Sequence, residues 1–98
     1  MLLQEDQLVD RYIEPNPHKP WLAEARLKTY GIAVWALVGY LSAVEEDIER
    51  VAADYEIPRE SVEAALAYYS RHKALIDARL AANRTDELHV TAPLTTTT

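Results

Sequence analysis

The stretch that decides the fold runs from residue 48 to residue 66 and reads IERVAADYEIPRESVEAAL. Around its middle, Ile57 supplies an apolar plug for a tight corner, and Pro58 suits the first turn of a new helix. On either side, apolar residues recur at i, i+3, i+4 and i+7, the spacing of one helix face. They are Ile48, Val51, Ala52 and Tyr55 before the corner, and Val62, Ala65, Leu66 and Tyr69 after it. The pattern predicts two helices joined by a very short turn, as in a helix-turn-helix, although two packed helices of any small bundle would share it.

The length of 98 residues and the hydrophobic fraction of 49% fit a single domain, residues 1–98, with a modest core. The absence of cysteine excludes a disulfide framework and a cysteine-based zinc site. The first residues turn acidic at once, which is not typical of a signal peptide. The longest apolar run, residues 32–41, is too short to span a bilayer. We therefore expect a cytoplasmic protein with no membrane association.

The net charge of −6 is unevenly distributed. Residues 45–63 contain eight acidic side chains against only Arg50 and Arg59, whereas residues 71–84 are basic. Neutralisation of phosphates by basic side chains supplies most non-specific affinity for DNA. The acidity of the central stretch therefore weighs against tight, unaided DNA binding.

The N-terminal third predicts a small β element. Residues 8–14 mix β-branched, aromatic and charged side chains and read as a short strand. Three prolines between residues 15 and 20 predict an extended loop, because each removes a hydrogen-bond donor and restricts φ. We expect Trp21 and Leu22 to anchor that loop on the core, and residues 26–28 to form a second extended segment.

Three helices are predicted after this element. The first covers residues 34–43, with Gly39 allowing close backbone approach. Residues 45–47 are expected to open the second helix, because carboxylates favour the positive end of the helix dipole. The third helix is expected to begin near Pro58 and to continue to Asn83, about 39 Å at 1.5 Å per residue.

The second half of that long third helix, residues 71–82, has no obvious core of its own to lie on. Its apolar side chains therefore predict a partner or dimer interface, with a solvated helix as the alternative. The predicted interface residues are Tyr68, Leu75, Ile76 and Leu80. For Tyr68, a second packed face inside the chain is an equal alternative.

The fold class that follows is mainly α: a helix-turn-helix domain of three helices, with a small N-terminal β element and a long C-terminal helix. Residues 8–34 form the short β element and loop, residues 34–83 the helix-turn-helix core, and residues 84–98 a tail. Because many helix-turn-helix proteins act as two-fold dimers, we also expect a homodimer.

No enzyme signature is recognisable. The three histidines are far apart in the sequence, so a metal site is not expected. With only two glycines the chain has no glycine-rich phosphate loop, and no serine stands in a nucleophile motif. We predict no catalytic residue, no metal and no cofactor, and hold a small enzyme only as a remote third class of function.

The candidate DNA contacts follow from the helix-turn-helix interpretation. Arg59 lies in the first turn of the third helix, where a recognition helix presents side chains to base edges, and arginine is the side chain best suited to guanine. A surface ion pair with Glu63, four residues later, is the alternative. Ser61, and the basic residues Arg71 and Lys73 outside the motif, complete the predicted DNA-binding set.

Residues 32–41, 48–57 and 62–69 resemble a family of small bacterial proteins catalogued as a domain of unknown function with a helix-turn-helix fold. Members are commonly inferred to be antitoxins related to VapB-type DNA-binding antitoxins and encoded beside PIN-like nuclease toxins. The resemblance implies an antitoxin-like regulator that binds operator DNA and a PIN-like toxin. The alternative is a protein-binding adaptor on the same fold with no DNA role. Glu56 departs from many helix-turn-helix proteins, which carry glycine at this position.

Overall fold

The computed structural model describes residues 2–83, and side chains from residue 5 onward. Within this part of the chain the fold is mainly α, with a small two-stranded antiparallel sheet near the N-terminus, as predicted. The elements in order are α1 (Leu2–Tyr12), β1 (Ile13–Glu14), a 3₁₀ turn (Leu22–Glu24), β2 (Arg26–Leu27), α2 (Val34–Ala43), α3 (Ile48–Tyr55), α4 (Arg59–Arg71) and α5 (73–83). The predicted tail, residues 84–98, lies outside the described residues.

The predicted strand at residues 8–14 is wrong for most of its length. Helix α1 continues to Tyr12, and only Ile13 and Glu14 form a strand, paired with Leu27 and Arg26 of β2. Leu8 and Tyr12 are four residues apart and both pack against the core, which is a helical spacing. The β-branched and aromatic composition of this segment suggested a strand, but its periodicity is that of a helix.

Helix α2 has the predicted bounds, Val34–Ala43. Its buried face consists of Val34, Leu37, Val38 and Leu41. At Gly39 a side chain, rather than a backbone, comes close to α2, because a Cβ added there would lie 3.1 Å from Leu80 Cδ2 of α5. Glycine at this position therefore leaves room for the Leu80 side chain.

Helix α3 begins later than expected. The Asp47 carboxylate caps it by accepting a hydrogen bond from the Arg50 N–H at 3.1 Å, so the helix starts at Ile48. Glu45 and Glu46 do not open the helix but form the preceding turn, each with φ of +60°. The other end of α3 is closed by Glu56, which is also left-handed, with φ of +57°.

The short corner between α3 and α4 is confirmed. Only residues 56–58 separate the two helices, Ile57 is buried as the predicted plug, and α4 begins at Arg59 directly after Pro58. Helix α4 is the central element and packs against α1, α2 and α3. Several small side chains on its buried face allow this close packing: Ser61, Ala64, Ala65 and Ala67.

The predicted single helix from Pro58 to Asn83 is interrupted at His72. Helix α4 ends at Arg71, and the His72 N–H donates to the carbonyls of Tyr68 and Tyr69 at 3.2 and 3.0 Å. Helix α5 then runs over residues 73–83 and packs on the core through the fully buried Ile76. The expectation that this segment lacks an intrachain core is therefore wrong.

The core lies where α2, α3 and α4 meet. Leu37, Val38 and Leu41 of α2 are buried with Val51 and Val62 of the two predicted apolar stripes. Four other residues of those stripes are only partly buried at the edge of the core: Ile48, Tyr55, Leu66 and Tyr69. The sheet and α5 add buried residues that periodicity within the central helices does not reveal: Ile13, Ala25, Leu27 and Ile76.

Candidate functional site

Arg59, the predicted base-reading residue, lies at the first position of α4 with half of its side chain exposed. Its guanidinium is shared by two carboxylates: Nη1 lies 2.7 Å from Glu49 Oε2, and Nε lies 3.0 Å from Glu63 Oε2. The ion pair with Glu63 is the alternative that the sequence offered, while the pair with Glu49 comes from the packing of α3 against α4. Both carboxylates would compete with a base edge for the Arg59 guanidinium.

Ser61 is not available to DNA. Ser61 is fully buried, and the Ser61 Oγ has no hydrogen-bond partner among the described residues. Ser61 stands three and four residues before Ala64 and Ala65, so it shares the buried face of α4. The prediction that Ser61 contacts DNA is wrong because position 61 points into the core.

Arg71 ends α4, about 18 Å from Arg59 at 1.5 Å per residue, and Lys73 begins α5 after the break at His72. Arg71 forms an ion pair with Asp6 of α1. Lys73 Nζ lies 2.8 Å from Asp77 Oδ2 and 5.5 Å from the centroid of the Tyr69 ring. The structure therefore does not bring the predicted DNA contacts together, and the three that are exposed are each engaged by a carboxylate.

The Asp77 carboxylate is the centre of a small polar network. Hydrogen bonds from Lys73 and then from Tyr69 lower the pKa of Asp77 below its ordinary value of 3.8. The hydrogen bond to Asp77, followed by the contact with Tyr69, raises the pKa of Lys73. Both shifts favour the charged forms, so the network fixes the start of α5 relative to the end of α4.

The predicted partner interface divides into buried and exposed residues. Tyr68 is buried and its hydroxyl donates to the Leu22 carbonyl at 2.7 Å, while Ile76 is fully buried. Leu80 is partly buried against the core. For Tyr68 the structure shows the alternative, a packed face inside the chain. The assignment of Ile76 to an interface is wrong, because α5 packs that side chain into the core. Of the predicted set, Leu75 is the residue that remains largely exposed.

Two apolar residues are exposed where the sequence predicted anchors. Trp21 is 63% exposed and Leu22 is 54% exposed. The loop is instead tied to the core by the Leu22 backbone, whose carbonyl accepts the Tyr68 hydroxyl. Trp35, the other tryptophan, is partly buried beneath the Arg79 guanidinium, which lies 4.1 Å from the ring centroid. The prediction that the Trp21 and Leu22 side chains anchor the loop is wrong, because the Leu22 carbonyl, the Glu24 carboxylate with Arg79 and the buried Ala25 make the attachment.

The surface around α3 and the start of α4 is acidic. All eight acidic side chains between residues 45 and 63 are exposed or half-exposed. Arg50 pairs with Asp54, and Arg59 pairs with Glu49 and Glu63, which leaves most of the negative charge uncompensated. Left-handed backbone positions ordinarily favour glycine, yet Glu45, Glu46 and Glu56 occupy all three in the two turns that flank α3.

Within residues 2–83, no helix is long and apolar enough to cross a membrane. The same residues contain no cluster of three or more histidine, aspartate or glutamate side chains that could hold a metal ion.

The fold and this surface define a small, mainly α-helical domain in which two helices meet at a three-residue turn. Residues 23–69 match the model of a family described as "Protein of unknown function (DUF433)". The match covers slightly less than half of the chain, from the 3₁₀ turn to Tyr69, so α1 and α5 lie outside it. The match confirms one part of the resemblance seen in the sequence, the similarity to a domain of unknown function. No curated protein and no solved structure is found to match the chain.

Proposed function

We propose that this protein is an antitoxin-like regulator whose main activity is to bind a partner protein through the acidic surface around α3 and α4. The partner that the resemblance implies is a PIN-like toxin encoded beside it. The proposal assigns no catalytic residue, metal or cofactor to the chain.

The observation that carries this proposal is the charge of the exposed surface. Residues 45–63 carry a net charge of −6, and their acidic side chains face solvent. Carboxylates near phosphates repel them and release no counterions, whereas they attract and orient a basic protein surface. The two arginines of the segment do not make it attractive to phosphates, since each already forms an ion pair with at least one carboxylate.

Operator DNA binding is the second candidate. It is favoured by the three-residue turn between α3 and α4 and by the position of Arg59 at the start of α4. Basic residues from a partner or from a second copy of the chain would then have to supply most phosphate contacts. An adaptor that binds protein but no DNA is the alternative that the same surface supports.

The test is a titration of the upstream DNA of the protein's own operon, with and without the neighbouring gene product, at two salt concentrations. Tight binding of the neighbouring protein together with DNA binding of the complex supports the antitoxin-like regulator. Protein binding without DNA binding supports the adaptor. No binding of the neighbouring protein contradicts the proposal.

A further inference from the structure

Two grooves lie on either side of the exposed stripe of α4 and meet at Leu66 and Ser70. The larger, of about 560 Å³, is enclosed by α2, α4 and α5. The smaller, of about 270 Å³, lies between α1 and α4. Leu66 and Ser70 line both grooves and stand between them, and we name the two adjoining grooves together the α4 groove.

The floor of the α4 groove is apolar. The aliphatic side chains Val38, Leu41, Leu66 and Leu80 contribute on the larger side, and Leu8 contributes on the smaller side. Leu66 is only half-buried although its neighbour Ala65 is fully packed in the core. An apolar side chain at the centre of an open groove can still bury surface when another molecule covers it.

The walls of the α4 groove are acidic. Glu46 and Asp77 line the larger side, and Glu5 and Glu63 line the smaller side. Among the residues that the structure describes, no lysine or arginine lines either part. The basic residues at its ends are already engaged, Arg59 by Glu63 and Lys73 by Asp77.

This arrangement selects one kind of occupant. Glu63 and Asp77 are paired with Arg59 and Lys73, which leaves Glu5 and Glu46 without an ion pair among the described residues. A nucleic acid backbone would be repelled by these two carboxylates, and a purely apolar segment would desolvate them without pairing them. A segment with apolar side chains along one face and lysine or arginine beside them can pack on the apolar floor and form ion pairs with the carboxylates of the walls.

We propose that the α4 groove is the docking site for a basic amphipathic segment of a protein partner, with Leu66 as the apolar contact and Glu46 as a charged contact. This inference rests on the proposed partner-binding function and specifies the chemistry of the partner. It also places the contact on the outward stripe of α4, rather than on the exposed Trp21 and Leu22.

The probe is a synthetic amphipathic peptide with leucines along one face and lysines along the other, titrated into the isotopically labelled full chain and followed by amide chemical shifts. A peptide with the same leucines but glutamates in place of lysines is the matched control. We expect the lysine peptide alone to shift the amides of Leu66, Ser70 and Glu46.

Two pairs of variants distinguish peptide binding in the α4 groove from general attraction of the peptide to an acidic protein. Leu66→Gln is compared with Leu75→Gln, which changes a leucine outside the groove, and Glu46→Lys is compared with Glu45→Lys. Glu45 and Glu46 both have φ of +60°, so backbone strain is matched in the second pair. Each groove variant should weaken peptide binding about tenfold, the loss typical of a contact central to an interface. Each control should change it less than about twofold at 0.15 M salt.

Unchanged far-ultraviolet circular dichroism confirms that the variants fold. Equal losses within either pair, equal binding of the glutamate peptide, or shifts confined to other residues would overturn the proposal. So would duplex DNA shifting the same amides. If the neighbouring gene product binds the chain but is insensitive to Leu66→Gln and Glu46→Lys, the groove assignment fails and the proposed function stands. If the lysine peptide binds as expected but the neighbouring protein does not bind, the groove stands and the proposed function fails.

Discussion

Helix α4 has two sides in different environments. Its core side packs small and apolar residues such as Val62, Ala64 and Ala65 against three other helices. Its outward stripe carries Arg59 and Glu63, with Leu66 half-exposed between two grooves. The core side determines how the chain folds, whereas the outward stripe determines what it can attract. The difference teaches that burial and exposed charge are set separately on the two sides of one helix.

The largest expected effect concerns the core side and its extension into α5. Ile76 is fully buried, while its neighbour Leu75 is 47% exposed. Ile76→Ala should lower the free energy of unfolding by about 2–5 kcal/mol, because it leaves a cavity. Leu75→Ala should change it by less than about 0.5 kcal/mol. Urea denaturation of both variants measures the difference, and equal losses would mean that α5 does not pack on the core as described.

The next effect concerns the outward stripe and has opposite signs for the two candidate functions. If operator DNA is bound, Arg59→Ala should lose about 1–3 kcal/mol and reduce discrimination at one base. If the surface binds a basic protein, the same change releases Glu49 and Glu63 and should strengthen association. Titration of the variant with DNA and with the lysine peptide decides between them, and no change in either would remove Arg59 from both sites.

A smaller effect on the free energy of unfolding is expected at Glu56, in the turn between α3 and α4, where the backbone conformation favours glycine. Glu56 has φ of +57°, which strains a side chain with a Cβ. Glu56→Gly should therefore raise the free energy of unfolding by about 0.5–1 kcal/mol. Ala53→Gly, in the exposed part of α3, is the control and should lower it by a similar amount, about 0.5–1 kcal/mol. Thermal or urea unfolding measures both, and a destabilised Glu56→Gly variant would contradict the argument.

The smallest effect is a pH dependence at the junction of α4 and α5. Because hydrogen bonds lower the pKa of Asp77 in the folded chain, its contribution to stability is complete above the unfolded pKa and is lost as pH falls through the folded pKa. The stability difference between wild type and Asp77→Asn should thus be constant near neutral pH and shrink below pH 3.8. Urea midpoints across pH measure it, and Tyr69→Phe should show an intermediate profile. A difference that persists unchanged in acid would contradict the assignment.

Homodimer formation stays a prediction. Fewer apolar residues are available for a dimer interface than the sequence predicted, since Tyr68 and Ile76 are buried within one chain. Light scattering at high protein concentration tests it independently of the groove.

Periodicity and local turn chemistry determined a large part of the fold. The bounds of α2, the corner at Ile57 and Pro58, and the start of α4 depend on neighbouring residues, so the sequence alone was sufficient for them. The excess of carboxylates between residues 45 and 63 is likewise a property of the sequence. Composition misassigns α1 as a strand, whereas the spacing of its packed residues Leu8 and Tyr12 is helical.

Only tertiary structure decided which side chains reach the surface. The break at His72 has no glycine or proline to mark it, and α5 beyond it is attached by contacts far apart in sequence, such as Arg79 Nε with Glu24 Oε2 at 2.6 Å. The burial of Ser61 depends on packing against several elements, and the pairing of Arg59 with Glu49 depends on how α3 meets α4. Local propensity carries no information about such long-range contacts. For that reason the sequence could indicate Arg59 as a candidate contact with Glu63 beside it, whereas the pairing of Arg59 with Glu49 is decided only when α3 and α4 pack together.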